Sequence, residues 1–152
     1  MRRLTAFAAA LFLALVPLLP AEARSIEGKV LRVSDGDTIA LSTAAGVEKI
    51  RFLGIDCPEK AQVPWGPRAK AFTASMVAGK TVRIETDVQE RDRYGRLLGY
   101  VFVGSTLVNE ALVREGLAML YTSAPNVRYS DRFVAAQRQA RDAARGIWDG
   151  TN

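Results

Sequence analysis

The segment IEGKVLRVSDGDTIALSTAAGVEKIRFLGI, Ile26 to Ile55, most narrows what this chain can become. Apolar and polar residues alternate through it in three short runs, and Asp35-Gly36 and Ala45-Gly46 punctuate them. Successive side chains of a strand point to opposite faces, so alternation describes strands with one buried and one wet face. With glycine-containing turns between them, the three runs read as a three-stranded antiparallel meander.

The rest of the chain supplies partners for that meander. GPRAKAFTASMVAGK (66–80) predicts a helix. Pro67 suits its first turn, Phe72 and Met76 lie four apart on one face, and Gly79 can end it. TVRIETDV (81–88) and RLLGYVFV (96–103) predict two more strands, joined by the polar loop QERDRYG (89–95). LVNEALVREGLAMLY (107–121) predicts a short helix stopped by Gly116, then an extended piece. SDRFVAAQRQARDAARG (130–146) predicts an amphipathic helix, with Ser130 or Asp131 as its N-cap and Gly146 as its C-cap. Five antiparallel strands with a helix between the third and fourth fit an α+β, mainly-β fold. It is a five-stranded barrel of the OB type with about three helices, one from the C-terminal part packing beneath. A two-layer α+β sandwich is the alternative, because alternation does not specify which strands pair.

The first residues, MRRLTAFAAALFLALVPLLPAEARS, have a different logic. Arg2 and Arg3 precede an uncharged, mostly apolar run, and Ala21-Glu22-Ala23 is an A-x-A pattern. This predicts a secretory signal peptide over residues 1–23, cleaved after Ala23, and a single domain over 24–152. A retained membrane anchor is the competing reading; the run is short for a span and holds Pro17. The expectation is a protein secreted or periplasmic, monomeric, with no stable membrane association once the leader is removed. The leader takes one net positive charge with it, so the domain keeps about +4 of the formal +5, with arginine dominant. Solubility alone explains such a charge; so does attraction to a polyanion.

The chain has one cysteine and no histidine. That excludes an intramolecular disulfide, a Cys/His zinc site, and the Ser-His-Asp and Cys-His nucleophile arrangements. Acid–base work falls to Asp, Glu, Lys or Tyr. A bound metal would be held mainly by oxygen, which favours Ca²⁺ or Mg²⁺.

Three stretches carry candidate chemistry: SDGDTIAL, RFLGIDCPE and ERDRYGRLLGY. Each alone has an ordinary explanation: a hairpin turn with solvated acids, an arginine at a barrel rim, a charged loop. All three sit at the ends of predicted neighbouring strands, so they can converge on one rim. The converged set holds the carboxylates Asp37, Asp56 and Glu59 and the guanidiniums Arg51 and Arg96. Two carboxylates and a backbone carbonyl suit Ca²⁺, two arginine forks suit phosphoryl oxygens, and a spare carboxylate can act as base for a water. That is a set for metal-assisted phosphodiester hydrolysis. An OB-type barrel that binds single-stranded nucleic acid without cutting it is the alternative from another class.

From Ile26 to Trp148 the chain resembles the staphylococcal nuclease (thermonuclease) family. VSDGDTIAL, IRFLGIDCPE, WGPRAKAFT, DRYGRLLGYV and LVNEALVREGLA carry the resemblance, in matching order and approximate spacing. It implies an OB barrel with helices, calcium as cofactor, and DNA and RNA as substrates, cut to leave 3′-phosphate ends. By resemblance, Asp37 and Asp56 are calcium carboxylates and Cys57 offers its backbone carbonyl. Glu59 is the general base, and Arg51 and Arg96 bind the reacting phosphate. Asp35 is an acid close to the metal. Arg93 and Tyr94 touch a second phosphate, and Tyr121 lies near base and sugar. The chain departs from the pattern in four places. Cys57 stands where threonine is usual, the loop after Glu59 is shorter, Trp65 replaces a tyrosine, and Ser123 replaces a second tyrosine that would stack on a base.

Overall fold

The structure is a computed structural model that describes residues 24–150. The leader read over residues 1–23 lies outside the described residues.

Three strands open the fold: β1 (Ser25–Asp35), β2 (Thr38–Thr43) and β3 (Gly46–Phe52). They form the expected antiparallel meander. A register shift between Val30 and Arg32 bends β1, so the buried positions step from Val30 to Val33 while Leu31 points to solvent. The bend lets one strand serve two neighbours: β2 along one edge and β5 (Thr81–Glu85) along the other. β6 (Leu97–Val103) pairs antiparallel with β5 and parallel with β3, which closes the ring. The barrel of five strands expected from the sequence is therefore present. One seam corrects the expectation that every pair is antiparallel. Strand direction alternates around a ring, and an odd number of strands must break the alternation once. Here the break falls at Ile50–Leu97, Arg51–Leu98 and Phe52–Gly99.

Ile39, Leu41, Ile50, Ile84 and Val101 fill the core and are fully buried. β5 stops at Glu85, short of the run to Val88 that the pattern suggested. Asp87 there turns inward instead, accepting hydrogen bonds from Tyr100 Oη at 3.0 Å and Arg128 N at 3.1 Å. A short β4 (Gly54–Asp56) pairs with β8 (Met119–Tyr121) as a separate ribbon, and β7 (Thr106–Leu107) extends β6.

Three helices pack on the barrel: α1 (Trp65–Val77), α2 (Val108–Arg114) and α3 (Ser130–Asp142). α3 is not capped by Ser130 or Asp131; its N-cap residue is Tyr129, without a side-chain cap bond. Tertiary packing decides that end. The Tyr129 ring stands edge-on to Tyr100 at 4.7 Å, and its hydroxyl donates to Glu85 Oε2 at 2.6 Å. Gly146 does not cap the helix either; it opens a 3₁₀ turn, Gly146–Trp148.

Asn109, at the start of α2, is fully buried and ties the helix to the closing seam. Its Oδ1 accepts from Val101 N at 2.9 Å, and its Nδ2 donates to Leu53 O at 2.9 Å. A buried amide in a core is tolerated only when its partners are made. Asn109→Ala strands both backbone groups, so the urea midpoint should fall by the equivalent of roughly 1–3 kcal/mol; an unchanged midpoint would show that the bonds contribute nothing net.

Candidate active site

Asp37 follows the β1–β2 turn and is 6% exposed. A carboxylate pulled out of water needs new partners. Its Oδ2 accepts from Cys57 N at 2.8 Å and meets Arg51 Nη1 at 2.9 Å, while Oδ1 accepts from Thr38 Oγ1 at 3.2 Å. Burial still dominates and pushes its pKa up to about 6, against the pull of Arg51. Arg51 sits at the end of β3 between buried Ile50 and Phe52. Its Nη2 reaches Asp56 Oδ1 at 2.7 Å, and its Nη1 also donates to the carbonyls of Phe52 and Ile55, each at 3.1 Å. One guanidinium thus holds the two candidate metal carboxylates together.

Asp35 accepts from Asp37 N at 3.3 Å. Arg96 enters from the loop before β6. Asp92 steers it, accepting from Arg96 Nε at 2.6 Å, Arg96 N at 3.0 Å and Tyr94 N at 2.9 Å. Burial would raise the Asp92 carboxyl, but these bonds outweigh it and hold the group below its ordinary range.

A cleft of about 220 Å³ gathers Asp35, Asp37, Arg51, Cys57, Glu59 and Arg96. A neighbouring cleft of about 480 Å³ shares Arg51 and Arg96 and is lined by Arg93, Tyr94, Tyr121 and Ser123. Asp56, more than half exposed, stands beside Arg51. Every candidate singled out in the sequence therefore reaches one rim of the barrel. Among the described residues no three Asp, Glu, Cys or His side chains cluster as a metal site. An ion here would take two carboxylates and complete its shell with carbonyl and water oxygens. The all-oxygen donor set and the poorly solvated Asp37 fit a hard cation.

The sequence did not disclose what holds these groups in place. Gly36 lies so close to α1 that a Cβ on it would come within 2.8 Å of Ala69 Cβ and Cys57 Sγ. Thr73 of α1 donates to Gly36 O at 2.6 Å. Gly66 presses on the Glu59 carbonyl, where a Cβ would lie 1.9 Å from the oxygen. Gln62 accepts from Glu59 N at 2.5 Å through Oε1 and donates its own N to Glu59 O at 2.8 Å. α1 and the turn before it therefore set both the β1–β2 turn and the backbone of Glu59. The Gly-Pro at the helix start and Thr73 on its inner face were the available signals.

A closed five-stranded barrel with three helices belongs to the OB-fold class, whose members bind oligonucleotides and oligosaccharides. Residues 49–150 match the family model described as Staphylococcal nuclease homologue, and the chain belongs to the staphylococcal nuclease family. It is 41% identical over 125 residues to the Thermonuclease of Staphylococcus hyicus, covering 79% of this chain and 74% of that one. It is 36% identical over 125 residues to the Thermonuclease of Staphylococcus intermedius, with the same coverage. An Uncharacterized endonuclease of Escherichia coli O157:H7 is 39% identical over 141 residues, covering 91% of this chain and 85% of its own. The chain is a hydrolytic nuclease, and its substrates are nucleic acids.

The Cys57 thiol is buried, and burial, with Asp37 next in weight, pushes its pKa well up. Iodoacetamide at mildly alkaline pH should therefore leave native Cys57 unmodified and alkylate it promptly in urea, as mass spectrometry would show. Rapid labelling of the native protein would mean that the Gly36–Cys57 packing opens.

Proposed function

We propose that this chain is an exported, Ca²⁺-dependent endonuclease that cuts DNA and RNA and leaves 3′-phosphate ends. The observation that carries this reading is the convergence of Asp37, Arg51, Glu59 and Arg96 on one cleft, with Asp56 bonded to Arg51. Asp37, Asp56 and the Cys57 carbonyl would hold the ion. When bound, calcium supplies electrostatic polarisation of a phosphoryl oxygen. Glu59 is solvent-exposed on a backbone fixed by Gln62 and Gly66, as a base for a water must be. It takes the proton of a water aligned with the leaving 5′-oxygen. The water oxygen bonds to phosphorus as the bond to the 5′-oxygen breaks, that oxygen takes a proton from solvent, and the products carry 3′-phosphate and 5′-hydroxyl ends. Arg51 and Arg96 offset the charge that builds on the phosphoryl oxygens. Arg93, with Tyr94 and Tyr121, holds the neighbouring nucleotide in the larger cleft. Arg93 lies 4.8 Å from the Tyr94 ring centre and Arg96 5.6 Å from it, so the two cations share one aromatic platform.

The leader reading joins this proposal. Cleavage after Ala23 would release residues 24–152 as a monomer to the periplasm or beyond it, where calcium is abundant. No helix among the described residues is long and apolar enough to cross a membrane. With few protein ligands, calcium affinity should be on the order of 10⁻⁴–10⁻³ M.

Glu59→Gln should lower kcat by roughly 10²–10⁴ with binding largely kept, and steady-state kinetics on DNA would show whether it does. Arg96→Lys should be similarly damaging, because an ammonium cannot replace the two-pronged guanidinium at a phosphate; a mild effect would remove Arg96 from the reacting centre. EGTA should abolish digestion of both DNA and RNA, and added calcium should restore it. Persistence of full activity under chelation would overturn the metal dependence.

A further inference from the structure

A third cavity adjoins the acid-and-arginine cleft. It has a volume of about 430 Å³ and shares Cys57 and Pro58 with that cleft, as the Tyr94 side shares Arg51 and Arg96. The two outer cavities have no wall residue in common, and each adjoins the reacting cleft through residues the other does not touch. The β4–β8 ribbon crosses the divide: Ile55 and Tyr121 face the first outer cavity, and Asp56 and Met119 face the second.

The two outer cavities differ in chemistry. The first is lined by Arg51, Arg93 and Arg96 beside its tyrosines. The second has no lysine or arginine in its wall. Val63, Trp65, Met119, Ile147 and Trp148 make most of it, with Asp56 also in the wall and Cys57 and Pro58 at the edge shared with the reacting cleft. Arg68 and Arg141 pack over the rings of Trp65 and Trp148, at 4.8 Å and 4.2 Å from the ring centres, and neither guanidinium belongs to the wall itself. A wall of apolar and aromatic side chains favours a flat, polarisable group. Its volume lies within the range that takes small organic ligands. Val63 is 77% exposed and Met119 48% exposed, so both are accessible from solvent.

A phosphodiester joins two nucleosides, and cutting it requires room on both sides of the phosphorus. We infer that the Trp65–Met119–Trp148 cavity receives the nucleobase on the far side of the scissile phosphate from the nucleotide held beside Tyr94 and Tyr121. This inference rests on the nuclease reading of the central cleft. The base is the one uncharged aromatic part of a nucleic acid, and the cavity includes Asp56 and adjoins the reacting cleft at Cys57 and Pro58. Trp65, which departs from the family pattern, thereby acquires a place in substrate binding.

Trp65 and Trp148 are the only tryptophans in the chain, so intrinsic tryptophan fluorescence reports on this cavity alone. The probe is a thymidine dinucleotide whose bridging 5′-oxygen is replaced by a methylene group, which keeps the charge and removes the leaving group. It is compared with versions lacking one base or the other, each also tested as a competitor of DNA digestion. The intact probe should change tryptophan fluorescence. The version without the base on the tryptophan side should still compete yet leave the fluorescence unchanged. Its cleavable counterpart should lose roughly 5- to 150-fold in kcat/KM, the worth of one stacked base. In the double variant Met119→Ala, Val63→Ser that discrimination should shrink towards unity, while removing the base on the tyrosine side stays costly.

A probe that competes without altering tryptophan fluorescence, with equal cleavage of intact and base-deleted substrates, would overturn the inference. A fluorescence response without any hydrolysis would keep the base cavity and sink the nuclease mechanism. Neither response nor hydrolysis would sink both.

Discussion

The site depends on one buried carboxylate. Asp37 is held by a backbone amide that comes after β4, a hydroxyl at the start of β2 and a guanidinium at the end of β3. These three partners replace the water that burial removes, and replacement is incomplete, as the upward shift of its pKa shows. A charge in that condition attracts any cation offered to it. Arg51 answers that need in this structure and in doing so draws Asp56 to within 2.7 Å of its own Nη2. Removing either member of such a pair leaves an uncompensated charge in a low-dielectric setting, which is why the pair specifies local geometry more than it adds stability.

Around this point the scaffold is arranged to prevent drift. α1 backs the β1–β2 turn through the Gly36 contact and the Thr73 bond, and its first turn grips the backbone of Glu59. On the opposite wall, Asp92 gathers two backbone amides and the Arg96 side chain, so the loop before β6 presents its guanidinium in one direction. The parallel β3–β6 seam then sets Arg51 beside Leu98, two residues beyond Arg96. Functional groups as far apart in sequence as Asp35 and Arg96 meet because rigid elements converge, and each carries its own local support.

The departures from the family pattern take on meaning once placed. Ser123 lines the arginine-rich cavity, where a smaller side chain leaves fewer aromatic surfaces for a base. Trp65 lines the cavity that adjoins the reacting cleft at Cys57 and Pro58, and Arg68 packs over its ring at 4.8 Å. Aromatic side chains thus line both cavities, and arginine enters the wall of only one of them.

Much of the barrel was legible in the sequence because strand alternation and turn glycines are local. The meander, the run of Leu97–Val103 and the helix at Trp65–Val77 followed from period and punctuation. The candidate residues were legible because they cluster at strand ends in short motifs. The supports were not. Nothing local marks Asn109 as the tie between α2 and the closing seam, Gln62 as the clasp on Glu59, or Asp92 as the brace of Arg96. The cap of α3 was misread because Ser130 and Asp131 satisfy a local rule that the packing of Tyr129 on Tyr100 overrides.

The sequence by itself determined the class of elements, the absence of imidazole chemistry and the residues able to bind a metal or a phosphate. Those properties belong to side-chain type and to periodicity along the chain. Only the tertiary structure decided that the ring closes through one parallel pair, that Asp37 is stripped of water beside Arg51, and that two further cavities adjoin the acid-and-arginine cleft. Those are properties of distance between segments remote in the chain, and burial and electrostatics act through distance.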